Sequence, residues 1–301
     1  MELGMVGLGR MGANMAERLI RGGHKVSGFD PNADARKALE SKGAVCVESL
    51  QALVGLLPAP RVVWLMVPSG KITDDTVNAL LPMLTAGDTV IDGGNSNYKD
   101  TLRRAQLYAG KSLGYVDTGT SGGVWGLQEG YSMMIGGDEK TVEALRPIFA
   151  TLAPDKDRGW GRVGPVGSGH FAKMIHNGIE YGLMQAYAEG FSILQHKQEF
   201  GLDLHQIAEI WRYGSVVRSW LLDLTAHALD KNPTLKGIAP YVEDSGEGRW
   251  TVNEAIDLNV SAPVIALSLL ERLRSRDADS FSDRLLAAMR NEFGGHAIKS
   301  A

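Results

Sequence analysis

The sequence predicts an α/β domain over residues 1–166 followed by an all-α helical domain over residues 167–301. Three observations lead there. In the first half, short apolar runs of strand length alternate with helix-length segments, the pattern of a mostly parallel sheet with helices on both faces. The segment Arg162-Val-Gly-Pro-Val-Gly-Ser-Gly169 then ends the strand signals, and its glycines and proline mark a boundary. Beyond it the chain reads only as helices, rich in Ala, Leu and Ile and poor in aromatics, as in a bundle.

The first strand, 2–6, runs into Gly7-Leu8-Gly9-Arg10-Met11-Gly12. A helix over 13–21 follows, stopped by Gly22-Gly23, and a second strand over 25–29 ends on Asp30. Gly7 permits a tight turn, Gly9 lets the backbone approach a pyrophosphate, and Gly12 allows the helix to pack close to the strand. The helix N-terminus offers free N–H groups and the positive end of its dipole. Strand, glycine loop, helix, strand and acid in this order read as a Rossmann-like dinucleotide-binding domain. A carboxylate at Asp30 accepts hydrogen bonds from ribose hydroxyls and repels a 2′-phosphate, so NAD is expected over NADP. Asp30 also stands where it would cap the next helix, near Pro31, and the two roles are compatible.

Strands over 61–67, 88–91, 114–117 and 132–135 continue the alternation. Ligands of such sheets collect at the carboxyl ends of strands. Three polar, glycine-bearing loops leave those ends: 68–70, 92–96 and 118–123. Each alone reads as a turn; three at one edge favour a site.

The second half opens with a long helix over 168–198, followed by helices near 204–212, 217–229, 252–259, 264–276 and 280–292. The long helix carries Lys173, His176, Asn177, Glu180 and Tyr181 at i, i+3, i+4, i+7 and i+8, a single face. Around it stand small or apolar residues. A polar stripe on an apolar background predicts a helix buried on most sides, with the stripe facing a cleft. Burying a lysine and a glutamate costs several kcal/mol unless they are paired or serve chemistry. Lys173 and Glu180 are therefore candidates for an acid/base pair, with a structural ion pair as the alternative. A base at Lys173 requires burial to lower its pKa toward the working pH. Asp244-Ser-Gly-Glu-Gly-Arg-Trp-Thr251 is unusually polar, and Arg272, Arg274, Arg276 and Arg290 are spread over the last helices. Scattered arginines usually solvate a surface, but their forks also suit phosphate or carboxylate.

The chain's 301 residues allow two domains, and 44% hydrophobic with 22% charged residues is ordinary for a soluble protein. A net charge of −4 points to no nucleic acid and no membrane surface. The single cysteine, Cys46, excludes an internal disulfide and a thiolate metal cluster, and suits a reducing cytoplasm. No apolar run has membrane-spanning length, no metal-ligand spacing occurs, and the N-terminus reads directly as structure, without a leader.

These motifs resemble the 6-phosphogluconate dehydrogenase (decarboxylating) family, within the β-hydroxyacid dehydrogenase superfamily that includes 3-hydroxyisobutyrate dehydrogenase. The markers are GLGRMG at 7–12, MVPSG at 66–70, IDGGNS at 91–96, the Ser-Gly-Gly at 121–123 and GSGHFAKMIHNGIEYG at 167–182. GEGRWT at 246–251 and RNEFGGH at 290–296 add to them. The chain looks like the short form, without the second helical block of longer members.

The resemblance implies oxidative decarboxylation of 6-phospho-D-gluconate to D-ribulose 5-phosphate in the pentose phosphate pathway. It implies that Gly7, Leu8, Gly9, Arg10, Met11, Gly12, Asp30, Met66, Val67, Pro68 and Asn95 hold NAD. Lys173 is implied as the base at the 3-hydroxyl and Glu180 as the acid at C1 of the enediol. Asn95, Ser121, Gly122, Gly123, His176 and Asn177 hold the sugar acid, and Tyr181 and Arg272 its phosphate. Arg290 and His296 match tail residues that reach a partner's site, implying a homodimer or a dimer-based tetramer. Two positions depart from the family. Asp30-Pro31 stands where NADP-using members carry a neutral residue and an Arg. Ser245 and Glu247 align with a phosphate-binding Lys and Thr, so that either Arg249 and Arg272 compensate or the substrate lies differently. The competing readings are a dehydrogenase of a non-phosphorylated 3-hydroxy acid, as in 3-hydroxyisobutyrate dehydrogenase, and a regulatory protein that binds a cofactor at a dead site.

Overall fold

The structure is a computed structural model and describes residues 1–294 and 297–299. Contacts divide the chain into two compact units, Met1–His176 and Asn177–Ala301. The strands of the first unit are β1 (Glu2–Val6), β2 (Lys25–Phe29), β3 (Val45–Val47), β4 (Val62–Leu65), β5 (Thr89–Asp92), β6 (Gly114–Ser121), β7 (Ser132–Gly136) and β8 (Trp160–Gly164). Its helices are α1 (Arg10–Arg21), α2 (Ala33–Glu40), α3 (Leu50–Leu56), α4 (Lys71–Leu80), α5 (Tyr98–Ala109), α6 (Gly126–Glu129), α7 (Glu139–Ala144) and α8 (Arg146–Leu152). The long helix α9 (Ser168–His196) begins in this unit and continues into the second.

The strands form one sheet in the order β3-β2-β1-β4-β5-β6-β7-β8. All neighbours are parallel except β6 and β7. Both faces are covered, and β4 shows how. Val62 and Trp64 join one apolar cluster with Met15, Leu19 and Phe149. Val63 and Leu65 join the other with Leu53, Val77, Leu80 and Tyr108. Alternate side chains point to opposite faces, so burial on both makes the strand a continuous apolar run. Each fully buried Leu or Phe contributes about 1.5–3 kcal/mol of transfer free energy.

Sequence patterning foresaw the α/β half and the helical half but not β3 or β8. Both lie at the sheet's edges. Edge strands tolerate brevity and polarity. β3 has three residues, and β8 reads Trp-Gly-Arg-Val-Gly. The expected loop at 118–123 also differs. Residues 118–121 stay in β6, because antiparallel β7 supplies partners beyond the parallel part of the sheet.

The second unit contains the rest of α9 and α10 (Leu204–Arg212), α11 (Trp220–Lys231), α12 (Glu247–Asp257), α13 (Pro263–Arg274) and α14 (Phe281–Gly294). Its buried cluster is small: Phe191, Ala208, Leu222, Ala226 and Leu229. Many large apolar side chains stay exposed, among them Ile193, Val216, Ile256, Val264, Leu267 and Phe281. No helix among the described residues is long and apolar enough to cross a membrane.

Candidate active site

Parallel pairing aligns the ends of four strands, β1, β2, β4 and β5, and sets Asp117 of β6 beside them. Val6 pairs with Phe29 and Leu65, Leu65 with Asp92, and Asp92 with Asp117. The segments that follow these four ends, at Gly7, Asp30, Met66 and Gly93, therefore leave one edge of the sheet, while β6 runs on past Asp117 to Ser121. At Gly7, φ is +90° and a Cβ would lie 2.5 Å from the Met66 carbonyl oxygen. At Gly12 a Cβ would lie 2.0 Å from the Gly7 carbonyl oxygen. At Gly9 a Cβ would meet nothing within 4 Å. The loop is thus closed on its inner side and open at Gly9. Gly9 is also the N-cap of α1, with no side-chain cap and no acid in the first turn. Arg10 and Met11 belong to that turn. Uncapped N–H groups at a positive dipole end fit a pyrophosphate.

Asp30 is half-buried and fixed by backbone. Its Oδ2 accepts the Leu8 N–H at 2.8 Å and its Oδ1 accepts the Asn32 N–H at 2.8 Å. Asp30 does not cap α2; Asn32 does, accepting from Asp34 N–H at 2.8 Å. The acid instead ties the glycine loop to the end of β2. Met66 and Val67 follow β4 half-buried, Pro68 is exposed, and the Thr73 hydroxyl donates to the Pro68 carbonyl at 2.8 Å. Asn95 is exposed between Gly94 and the buried Ser96. Ser121 ends β6, and Gly122 and Gly123 turn the chain with φ of +139° and +50°.

The first turns of α9 rest directly on the sheet. The buried Asp117 carboxylate accepts the N–H of Gly167 at 2.7 Å and of His170 at 2.8 Å, anchoring the helix start. The Thr101 hydroxyl lies 2.7 Å from His170 Nδ1. Three glycines make room. A Cβ at Gly119 would lie 2.3 Å from Lys173 Cβ, one at Gly136 would lie 2.4 Å from Asp117 Oδ1, and one at Gly169 would lie 2.5 Å from the Met134 carbonyl oxygen. Lys173 is accordingly 9% exposed. Its Nζ lies 3.3 Å from Nδ1 of His176. Reading the sequence assigned no role to Asp117, Gly119, Gly136 or Gly169 as single residues, because nothing local shows that they face one another.

Further along α9, Asn177 and Glu180 are half-buried and Tyr181 is 6% exposed. The Tyr181 ring packs on α12, where a Cβ at Gly248 would lie 2.4 Å from it. The Arg272 guanidinium lies 3.4 Å from the ring centroid, and its Nη1 donates to the Glu243 carbonyl at 2.9 Å. The other arginines are committed elsewhere. Arg274 pairs with Asp283, and Arg249 and Arg276 pair with Asp244 at 3.1 and 3.0 Å. The Arg249 hydrogen bond outweighs burial and holds the Asp244 carboxyl below its ordinary range. Arg272 is the arginine the structure brings to Tyr181. Ser245 donates to the carboxylate of Glu247, which is 1% exposed. The stripe's apolar background is less covered than expected, with Ile179 53% and Leu183 45% exposed. Arg290 is exposed on α14, and His296 lies outside the described residues.

Two family models match the chain: the NAD binding domain of 6-phosphogluconate dehydrogenase over residues 2–161, and the 6-phosphogluconate dehydrogenase C-terminal domain over residues 169–290. The chain is 42% identical over 299 residues to a Haloferax volcanii protein named 6-phosphogluconate dehydrogenase, NAD(+)-dependent, decarboxylating, covering 99% of this chain and 98% of that one. Among solved structures, Plasmodium falciparum 6-phosphogluconate dehydrogenase superposes with a TM-score of 0.84 at 26% identity. That match covers 100% of this chain and 66% of the Plasmodium chain. A Mycobacterium tuberculosis 3-hydroxyisobutyrate dehydrogenase shares the fold, with a TM-score of 0.75 at 23% identity over 92% of this chain and 94% of that one. With both of its domains matched by the family's models and its full length aligned to a family member, the chain belongs to the 6-phosphogluconate dehydrogenase family.

Proposed function

We propose that this chain oxidises 6-phospho-D-gluconate with NAD and releases carbon dioxide, giving D-ribulose 5-phosphate. One observation carries the chemistry: a buried lysine, seated on Gly119 beside His176, on the same helix as Glu180 two turns later. The Haloferax volcanii relative, similar over its full length, is named for this reaction. Residues 1–166 serve as the NAD-binding domain and 167–301 as the substrate and dimerisation domain. The open glycine loop, with Asp30 beside it, fits a dinucleotide whose ribose carries free hydroxyls. When bound there, NAD accepts the hydride that leaves C3.

Lys173 takes the proton of the 3-hydroxyl as that hydride departs, leaving a 3-keto acid. The resulting ammonium polarises the carbonyl. The bond between C1 and C2 then breaks, its electrons move toward the carbonyl oxygen, and Lys173 returns a proton there. Glu180 protonates the enediol at the carbon that lost carbon dioxide. General acid–base help of this kind contributes about 10²–10⁴-fold. Ser121, Gly122, Gly123, Asn95, His176 and Asn177 hold the sugar acid, and Tyr181 with Arg272 takes its phosphate. The chain acts in the cytoplasm as a homodimer, with Arg290 and His296 of the tail completing the partner's site. The Ser245–Glu247 pair favours a second reading, oxidation of a non-phosphorylated 3-hydroxy acid, since a buried carboxylate is a poor phosphate ligand.

Incubation with 6-phosphogluconate and NAD should yield NADH and carbon dioxide in equal amounts, with NADP used less efficiently. Cofactor reduction without carbon dioxide would sink the decarboxylase reading. A clear preference for NADP would overturn the role given to Asp30.

A further inference from the structure

One buried cation joins the two loops assigned above to the cofactor, 66–70 and 92–96. Arg104 sits on α5 with its side chain 1% exposed. Its Nε donates to Asp74 Oδ1 at 2.7 Å, in the first turn of α4. Its Nη2 donates to the Gly70 carbonyl at 3.3 Å. Both partners belong to the turn that starts α4. Its Nη1 donates to Asp92 Oδ2 at 3.3 Å and to Ser96 Oγ at 3.1 Å, and these residues bracket Asn95.

The far ends of this fork are themselves fixed. Asp92 is fully buried and accepts the Tyr115 hydroxyl at 3.1 Å and the Ser96 hydroxyl at 3.0 Å. The two loops also touch, since a Cβ at Gly94 would lie 2.9 Å from the Val67 carbonyl oxygen. Burial disfavours the Arg104 charge, but Asp74 and Asp92 outweigh it and hold the guanidinium protonated. A planar guanidinium reaches partners in several fixed directions, which a lysine ammonium does not reproduce.

We propose that Arg104 is a positioning residue: it sets the spacing between loops 66–70 and 92–96 and so places Asn95 against the cofactor. This rests on the NAD reading given above. The test compares the full-length wild type with Arg104→Lys, Ser96→Ala and Arg103→Ala. NAD binding is followed by tryptophan fluorescence without substrate, and kcat and KM are then measured below each variant's melting midpoint. Arg103 also pairs with Asp74, at 2.9 Å, but it is half exposed, and Asp74 and Asp100, with which it pairs, lie in neither loop. Arg103→Ala should therefore keep wild-type constants. Arg104→Lys should weaken NAD binding about ten-fold or more and lower kcat/KM for NAD at least as much, the size expected when a reacting group is misplaced by a fraction of an ångström. Ser96→Ala should move the same constants in the same direction by less. Wild-type NAD affinity and kinetics in Arg104→Lys, with only a lower melting midpoint, would show a purely structural role and overturn the proposal. If Arg104→Lys does not fold, unchanged constants in Ser96→Ala overturn it equally. Absence of NAD binding by the wild type would instead refute the cofactor reading, and the proposal with it.

Discussion

Lys173 and Asp30 illustrate how neighbours refine a residue's role. Lys173 stands out in sequence as a charge among apolar residues. The structure adds that its stem is trapped against Gly119 and its amine lies beside His176. The base proposed above is thus held in one place beside a second titratable group. Lys173→Ala is expected to lower kcat by about 10²–10⁴-fold while NAD affinity, measured by fluorescence titration, stays at the wild-type value. Substantial turnover in that variant would remove Lys173 from its assignment. Asp30 was legible as an acid at a strand end. Its grip on the Leu8 N–H was not, because the loop and the strand end meet only when β1 and β2 pair.

At the scale of elements, α9 depends on three glycines and one buried carboxylate. Gly119 belongs to β6 and Gly136 to β7; Gly169 and Lys173 belong to α9. Sequence shows each glycine singly, as a weak point in a strand or helix. The sheet makes them a seat into which the helix start is lowered, and Asp117 pins it there. Gly119→Ala adds a methyl 2.3 Å from Lys173 Cβ, so helix and strand must part. A displacement near 1 Å at the base costs about 10² in kcat. NAD affinity should be retained, since the glycine loop follows β1. Gly161→Ala in β8 meets no atom within 4 Å and serves as the control. If both variants show wild-type kcat, the seat does not position the lysine.

For the whole molecule, the two units bury their apolar residues unequally. The sheet carries two large cores, whereas the second unit exposes Val264, Leu267 and Leu270 at 67%, 60% and 55% along one helix, and Phe281 at 69% on the next. Large exposed apolar patches mark association surfaces. Sedimentation equilibrium should find a dimer or a multiple of it. Removal of the tail from Arg290 onward should raise the KM for 6-phosphogluconate several-fold. A monomer with full activity, or a truncation with unchanged KM, would argue against a shared site.

The sequence by itself determined the order of the domains, the glycine loop with its acid, and the polar stripe with Lys173 and Glu180. Those signals are local: each depends on residues within a strand, a turn or a few helical turns. Only the tertiary structure decided which arginine meets Tyr181, which residue caps α2, and what seats the lysine. It also found the edge strands β3 and β8, and Arg104, an arginine with no sequence motif, bridging two loops. These depend on residues distant in the chain and brought together by strand pairing and helix packing, and hydrophobic periodicity carries no information about them.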